Sequence, residues 1–315
     1  MKRYQLFSLF TLLTALLTIS CADNKQRRPD FDELRTQLHQ IIDNKPGRFG
    51  IALITDQADT LTLNNSADYP LMSVFKLHES LAVCHTLEKQ GHSLDSMLTI
   101  SKQEINPDTW SPMLKDYDQE GFDVSIRTLL DYLITQSDNN ASNILFDRIV
   151  NVATTDSIIA TLLPERSFKL VYKESEMSWA HLLAHSNVSS PLSCAMLVDK
   201  LFTDSLISPS NQEYIKQTMA GCQTGLARIA AGLPTDKGIK FAHRTGSGYT
   251  NITGEIAAIN DVAYITLPNR RSYTLAILVK DYKGSQEDAE AVMADISKTI
   301  YQYISASYND QQDNP

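Results

Sequence analysis

The chain has 315 residues, of which 43% are hydrophobic and 21% are charged, and its formal net charge is −9. These values are ordinary for a globular protein and exclude a disordered, collagen-like or disulfide-dense chain. The acidic balance also argues against nucleic acid or a polybasic membrane face as the main interaction, because both need a basic surface.

The first 21 residues predict an export signal. Two early cations, Lys2 and Arg3, precede an apolar run that is too short and too interrupted for a transmembrane helix. Cys21 resembles the cleavage site of a bacterial lipoprotein, although Thr18 stands where such sites usually carry leucine. We expect an exported, periplasmic protein whose membrane attachment is a lipid on Cys21. Ordinary signal cleavage with an unmodified cysteine is the alternative.

The segments after this signal predict one helix and then two strands. Apolar residues recur with helical spacing from Phe31 to Ile42, which predicts an amphipathic helix. Arg48–Thr55 and Thr60–Leu63 are predicted strands joined by a short polar turn. A last amphipathic helix is expected from about Ser285 to Tyr303. The strands predicted between these two ends of the chain are Ile239–Gly246, Gly254–Asn260, Val262–Leu267 and Tyr273–Lys280.

The middle of the chain is rich in predicted helices. Ser73–Gln90 is expected to end at Gly91, a suitable C-cap residue. The other helical segments are Ser125–Thr135, Asn139–Val150, Pro191–Phe202 and Asn211–Met219. Strands from both ends can pair as one antiparallel sheet covered by the first and last helices, with the central helices forming an inserted all-α lobe. A cleft between two such lobes is a usual place for a small-molecule site.

The first candidate catalytic pair opens the central helical region. Ser73 and Lys76 are three residues apart and therefore lie on one helix face. A serine hydroxyl becomes a nucleophile when a base takes its proton, and a desolvated lysine can do so. A helix N-terminus also points free N–H groups at a developing negative charge. Because this spacing often occurs by chance, the pair needs support from other motifs.

Two further motifs supply that support. Ser137 and Asn139 belong to a Ser-Asp-Asn motif between two helical segments, where Ser137 can relay a proton to a leaving nitrogen and Asn139 can bind a substrate amide. Arg244, Thr245 and Ser247 end a predicted strand in the sequence Arg-Thr-Gly-Ser-Gly. There the arginine is offered to a substrate carboxylate, and the backbone N–H of the serine is a second oxyanion donor. The combination S-x-x-K, S-D-N and K-T-G marks class A β-lactamases and penicillin-binding proteins.

With these motifs in order, the chain resembles a class A serine β-lactamase over about residues 30–305. The family fold is a five-stranded antiparallel sheet flanked by helices with an inserted helical lobe. The resemblance implies an α/β lobe at about 30–68 and 225–305 and a helical lobe at about 69–224, with a polar tail at 306–315. We expect a monomer that binds a small β-lactam substrate and uses no cofactor and no metal.

The resemblance also assigns residues outside the three motifs. In the family a glutamate on an Ω-shaped loop activates the water that hydrolyses the acyl-enzyme, and Glu174 aligns with it, with Glu176 as the alternative. Ser178 stands where an asparagine usually helps to hold this water. Trp110 resembles the aromatic residue at the cleft edge of the cephalosporinase branch, and Arg228 matches an arginine that assists carboxylate binding in some branches.

Besides Ser178, two further departures from the family pattern concern the third motif and the Ω-loop. Arg244 replaces the usual lysine of the third motif and keeps the positive charge, but its planar fork differs from a point charge. The Ω-loop lacks the common neck salt bridge, because Tyr172 stands where the arginine would be. We expect a loop that is more mobile or is held by packing of Met177 and Trp179.

The cysteines and histidines predict no further chemistry. Besides Cys21 the chain has Cys84, Cys194 and Cys222, whose number and spacing give neither a disulfide framework nor a zinc pattern. We expect buried free thiols, with a single disulfide as the alternative. His181 and His185 have helical spacing but lack the glutamate of the metalloprotease motif.

The predicted activity is therefore hydrolysis of the β-lactam ring of penicillin- and cephalosporin-type antibiotics. Ser73 attacks after Lys76, or Glu174 through a water, takes its proton, and Ser137 passes a proton to the departing nitrogen. Glu174 then activates water for deacylation. A peptidoglycan peptidase similar to penicillin-binding proteins and a β-lactam sensor domain share the first three motifs, and both would remain acylated.

Overall fold

The computed structural model describes residues 31–179 and 181–309. The predicted export signal with Cys21 lies outside this part of the chain. The final helix continues to Asn309, into the segment expected as a polar tail, and residues 310–315 lie outside the described part. Within the described ranges no helix is both long enough and apolar enough to cross a membrane.

A five-stranded antiparallel sheet joins the two ends of the chain. The strands of the protein are β1 (Arg48–Thr55), β2 (Thr60–Leu63), β3 (Tyr69–Pro70), β4 (Met97–Ser101), β5 (Gly121–Ser125), β6 (Phe168–Lys169), β7 (Val188–Ser189), β8 (Lys240–Ser247), β9 (Ile256–Thr266) and β10 (Ser272–Tyr282). The strand order of the five-stranded sheet is β2-β1-β10-β9-β8, so the N-terminal hairpin pairs with the last strand and β8 lies at one edge. The predicted five-stranded sheet and its two N-terminal strands are confirmed.

One strand prediction is wrong. Gly254–Asn260 and Val262–Leu267 are not separate strands, because β9 runs through both without a break. The polar pair Asn260 and Asp261 suggests a turn in the sequence, yet both side chains are completely buried. They stay in the strand because each one bonds to a segment that carries the candidate site, as described below.

Helices cover both faces of the sheet. They are α1 (Asp32–Ile42), α2 (Phe75–Gln90), α3 (Ile126–Thr135), α4 (Asn139–Arg148), α5 (Val152–Leu162), α6 (Glu174–Trp179), α7 (Pro191–Thr203), α8 (Pro209–Ala220) and α9 (Gln286–Asn309). The predicted C-cap of α2 is confirmed, since Gly91 has the left-handed φ of 71° that glycine adopts without strain. Helices α5 and α6 and the β4–β5 hairpin were not predicted.

Two hydrophobic cores lie on opposite faces of the sheet. In one core, α1 and α9 pack against every second residue of β1 and β10, such as Ile51 and Ile277. The other contains most of the central helices and meets the opposite sheet face at small residues such as Ala52 and Ala276. Each fully buried Leu or Ile contributes about 1.5–3 kcal/mol to folding.

Helix α2 crosses the middle of the second core. Apart from its last residues it is buried on nearly every side, including the polar residues Lys76, His78 and Glu79. A helix enclosed in this way cannot shift without disturbing the core, because protein interiors are close-packed. Its first turn is therefore a rigid platform for any side chain that it presents.

Candidate active site

A cavity of about 370 Å³ opens between the central helices and the edge strand β8. Seven of its eight lining residues belong to the predicted site, and the eighth, Thr224, was not predicted. The Thr224 hydroxyl bonds to that of its neighbour in the cavity wall, Thr245. The lining residues are Ser73, Trp110, Ser137, Asn139, Glu174, Thr224, Thr245 and Ser247.

Ser73 lies in a short 3-10 turn directly before α2. Met72, just ahead of it, has a φ of +44°, a strained conformation of the kind found at functional sites. Asn260 of β9 holds this turn, since its Nδ2 donates to the Leu71 carbonyl oxygen at 3.1 Å. A Cβ on Gly246 would lie 2.6 Å from that same oxygen and 3.1 Å from the Ser73 nitrogen. Only glycine therefore lets β8 approach the nucleophile's backbone.

Lys76, one turn further along, is completely buried and bonded on several sides. Its Nζ donates to the Ser137 carbonyl oxygen at 2.9 Å and to Asn139 Oδ1 at 2.6 Å, and it lies 3.0 Å from Glu174 Oε1. Burial lowers the pKa of Lys76, and Glu174 only partly opposes this effect. The amine is consequently easier to deprotonate than an ordinary lysine, which suits a base.

Glu174 begins α6 and reaches the nucleophile directly. The Ser73 hydroxyl donates to its Oε1 at 3.2 Å, and its side chain remains 15% exposed to the cavity. Asn143 fixes the backbone here, because its Oδ1 accepts from the Ser175 nitrogen at 3.0 Å. Ser178 lies in the same helix, and its side chain is outside the described part of the structure.

The loop that carries Glu174 is anchored by an amide in place of the missing salt bridge. Asn187 is completely buried, and its Oδ1 accepts from the nitrogens of Val171 at 2.7 Å and Tyr172 at 3.0 Å. Its Nδ2 donates to the Tyr172 carbonyl oxygen at 2.7 Å and contacts Met177 Sδ at 3.5 Å. Packing of Met177 was expected, whereas the role of Asn187 was missed.

The Ser-Asp-Asn segment connects α3 to α4 across the cavity. Ser137 has a φ of +62°, and Asp138 caps α4 by accepting from the Ala141 nitrogen at 2.9 Å. The Asn139 nitrogen donates to the Trp110 carbonyl oxygen at 3.0 Å, which ties this segment to the cavity rim. The Trp110 side chain is 63% exposed at that rim, where a ligand can reach it.

The two arginines predicted to meet a substrate carboxylate lie behind the cavity wall. Arg244 is completely buried, and its Nη2 donates to Ser137 Oγ at 2.8 Å. Arg228 is 2% exposed; its Nη2 donates to Ser247 Oγ at 2.6 Å, and its Nε pairs with Glu290 at 3.0 Å. Neither arginine lines the cavity. Each guanidinium lies behind a serine that lines it and donates a hydrogen bond to the hydroxyl of that serine. Their positive charge reaches a ligand through these hydroxyls.

The edge position of β8 leaves backbone donors for an anion. The Gly248 nitrogen donates to the Ala258 oxygen in β9 at 2.7 Å. Because alternate residues of an antiparallel strand point to opposite sides, the N–H of Ser247 faces the open edge. The site thus combines a nucleophile, two nearby bases and an oxyanion donor. Among residues 31–179 and 181–309, no three His, Cys, Asp or Glu side chains form a cluster suited to a metal ion.

Known proteins with a similar sequence or fold identify the family to which this site belongs. The model of the β-lactamase enzyme family matches residues 33–304. The chain belongs to the β-lactamase enzyme family. A β-lactamase from Phocaeicola vulgatus is 47% identical over 299 residues, which cover 95% of this chain and 93% of that relative.

Solved β-lactamase structures show the same fold. The crystal structure of TLA-1 extended-spectrum β-lactamase matches with a TM-score of 0.84 and 30% identity, covering 88% of this chain and 99% of that one. A class A β-lactamase from Bacteroides cellulosilyticus matches with a TM-score of 0.82 and 26% identity over 87% and 98% of the two chains. The protein is a serine β-lactamase with the class A fold, as predicted from its motifs.

Proposed function

We propose that this β-lactamase opens penicillin- and cephalosporin-type β-lactams through an acyl-enzyme on Ser73 and that Glu174 activates the water that releases the product. The observation that carries the proposal is the position of Glu174. Its Oε1 is 3.2 Å from Ser73 Oγ and 3.0 Å from Lys76 Nζ, so the nucleophile and both bases meet at one point. Hydrogen-bond reach of this kind is the first requirement for a general base.

In the acylation step, Ser73 Oγ attacks the lactam carbonyl carbon as its proton leaves. Glu174 and Lys76 are both placed to take that proton, and Lys76 Nζ lies 3.4 Å from Ser137 Oγ. Ser137 then gives a proton to the lactam nitrogen as the C–N bond breaks, and Lys76 replaces it. The N–H groups of Ser73 and Ser247 stabilise the oxyanion, and losing one such donor costs roughly 3 kcal/mol.

In the deacylation step, water attacks the ester carbonyl carbon and gives its proton to Glu174. The bond from the carbonyl carbon to Ser73 Oγ breaks, and the proton returns to the serine. The Asn143 and Asn187 contacts support this step, because they fix the segment from which Glu174 projects. An enzyme without a base in this position would stay acylated.

Substrate recognition involves the hydroxyl-lined wall and the aromatic rim. Thr245 and Ser247 offer donors to a substrate carboxylate, with the charges of Arg228 and Arg244 directly behind. Asn139 also lines the cavity, where its side chain is available to an amide group of the substrate. The exposed Trp110 resembles the cephalosporinase branch and slightly favours cephalosporins.

Turnover of a chromogenic cephalosporin by the purified protein tests the activity. We expect hydrolysis by the wild type, none by Ser73→Ala, and wild-type rates from Ser157→Ala, a matched control on the exposed face of α5. Stable acylation without release would contradict the proposal and would indicate a peptidase or a sensor domain.

We further propose that the protein is exported, that Cys21 carries a lipid and that the enzyme acts as a monomer. The residue pattern of the first 21 positions supports export and lipidation, and the monomer is what the family resemblance implies. Fractionation of cells expressing the full chain and Cys21→Ser tests the anchor. Wild type is expected with membranes and the variant in the soluble periplasmic fraction. Identical distribution of both would contradict lipidation, and light scattering of the mature enzyme tests the monomer.

A further inference from the structure

A buried amide links the turn of the nucleophile to the central strands of the sheet. Asn260, in the middle of β9, is completely buried. Its Nδ2 donates to the carbonyl oxygens of Pro70 at 2.7 Å and Leu71 at 3.1 Å, and its Oδ1 accepts from the Val279 nitrogen at 3.2 Å. A buried amide is costly without such partners. Because both N–H donors of the amide are used, its orientation is fixed.

The bonds from Asn260 hold a strained turn. The Leu71 carbonyl belongs to the peptide bond before Met72, whose φ is +44°, and Ser73 follows directly. Such a backbone conformation persists only where the surrounding structure holds it. Gly246 of β8 approaches the same Leu71 oxygen, since a Cβ there would lie only 2.6 Å from it. The turn therefore lies directly against β8, and the amide is the side chain that bonds it there.

The main chain of Asn260 lies beside the second oxyanion donor. Asn260 and Gly246 are direct partners in the register of β9 and β8, and Ser247 follows Gly246. Nη1 of Arg228 donates to the carbonyl oxygens of both partners, at 2.7 and 3.0 Å, and its Nη2 donates to Ser247 Oγ at 2.6 Å. Asn260 thus bonds through its side chain to the turn of Ser73 and through its main chain to the group that holds Ser247.

The neighbouring Asp261 fixes the segment that carries Arg228. Its Oδ2 accepts from the Ile229 nitrogen at 3.2 Å, and its Oδ1 bonds to Nδ1 of His243 at 2.9 Å. The side chains of Asp261 and His243 are both buried. Because these bonds tie the turn after Arg228 to β8, the guanidinium meets the Asn260 oxygen at a defined place.

We propose that Asn260 is a positioning residue that sets the separation of the two oxyanion donors, the N–H groups of Ser73 and Ser247. The inference rests on the function proposed for these two donors. Oxyanion donors act only when both lie roughly 3 Å from the position of the developing charge. A misplacement of about 1 Å can cost about 100-fold in rate. Asn260 contacts no reacting atom, so its effect on the reaction passes through the backbone that it holds.

A matched control separates this role from a contribution to stability alone. Gln212 of α8 is 6% exposed and is not among the residues that line the cavity. Its amide has the same set of partners as that of Asn260: it donates to two backbone carbonyls and accepts from one backbone nitrogen. Gln212→Met and Asn260→Leu each remove such an amide with little change of shape.

The ester that forms on Ser73 reports the oxyanion donors directly. A hydrogen bond to the ester carbonyl oxygen weakens the C=O bond and lowers its stretching frequency. This frequency is measured by infrared spectroscopy with a cephalosporin that is isotope-labelled at the lactam carbonyl, in the Glu174→Ala background, where we expect the acyl-enzyme to persist. Asn260→Leu should raise the frequency, because one donor moves away from the oxygen, and Gln212→Met should leave it unchanged.

Kinetics with a chromogenic cephalosporin provide a second readout. In Asn260→Leu we expect kcat and kcat/KM to fall together, each by about 100-fold, with KM little changed, because oxyanion donors act on the transition state. Gln212→Met should lose a comparable amount of Tm and keep the wild-type kcat. If Asn260→Leu does not fold, Asn260→Ser takes its place: its single hydroxyl donor serves only one of the two carbonyls, and we expect shifts in the same direction.

The outcomes separate this inference from the proposed function. If wild type hydrolyses the substrate while the Asn260 variant keeps the wild-type carbonyl frequency and kcat, or shifts them no more than Gln212→Met does, only the positioning role is overturned. If wild type is acylated but does not release the product, the proposed hydrolysis fails, and the carbonyl frequencies of the two acyl-enzymes still decide the role of Asn260. If Ser73 forms no acyl-enzyme, both fail.

Discussion

The amide of Asn187 is expected to hold the catalytic Glu174 segment in place, and Asn187→Ala removes it. The substitution deletes three hydrogen bonds to the backbone of Val171 and Tyr172, at 2.7, 3.0 and 2.7 Å. At about 1 kcal/mol net for each hydrogen bond, the expected loss of stability is about 3 kcal/mol. For a domain of this size that corresponds to a fall in Tm of roughly 6–12 °C.

The functional effect should fall mainly on deacylation, because that step needs Glu174 of this segment, whereas in acylation Lys76 of α2 is still placed to take the Ser73 proton. We expect the acyl-enzyme to accumulate in Asn187→Ala when a β-lactam is added, as measured by intact-protein mass spectrometry, with Tm measured by calorimetry. Asn151→Ala is the matched control: its exposed amide caps α5 through one bond to Thr154 at 2.8 Å. The control should lose about 1 kcal/mol and show no accumulation. Equal Tm losses in the two variants, with no acyl-enzyme, would show that Asn187 does not hold the Glu174 segment in place.

Two further predictions concern residues packed around the nucleophile. Gly246→Ala would place a Cβ 2.6 Å from the Leu71 oxygen and 3.1 Å from the Ser73 nitrogen. Because this clash displaces the nucleophile's backbone, we expect kcat/KM to fall by about 100-fold. A loss of less than about tenfold would contradict this expectation. Burial raises the pKa of Glu79 well above its ordinary value, so the folded protein keeps a proton that the unfolded chain releases. Stability from this group is therefore lost as pH rises above the ordinary glutamate pKa. Glu79→Gln keeps a hydrogen-bond acceptor for Ser142. The Tm of this variant minus that of wild type should increase between about pH 5 and pH 8. A Tm difference that decreases as pH rises would be evidence against a neutral Glu79.

The parts of the fold that follow from local patterns could be predicted from the sequence. The bounds of β1 and β2 and the end of α2 at Gly91 depend on alternation, helical spacing and one glycine, all of which are visible locally. The break predicted within β9 failed because a polar Asn-Asp pair is typical of a turn. In this strand Asn260 and Asp261 are kept inside by partners far away in the chain.

In the candidate site, too, the features set by local sequence could be predicted and those set by distant contacts could not. Ser73 and Lys76 are recognisable because one helix turn sets their geometry, and the other motifs identify the residues that meet them. The depth of Arg228 and Arg244 depends on which residues pack over β8, so spacing could not show that they lie behind Ser247 and Ser137. Asn187 was missed for a similar reason: its bonds to Val171 and Tyr172 span 16 and 15 residues, and no local pattern marks them.

The role of Glu174 in deacylation is tested by the mass of Glu174→Ala after exposure to a cephalosporin. We expect this variant to acquire a covalent adduct on Ser73 that persists, whereas wild type returns to its unmodified mass within the same time. Ser73→Ala should acquire no adduct. A Glu174→Ala enzyme that turns over the cephalosporin at the wild-type rate and leaves no adduct would contradict the assignment of Glu174 as the base for deacylation.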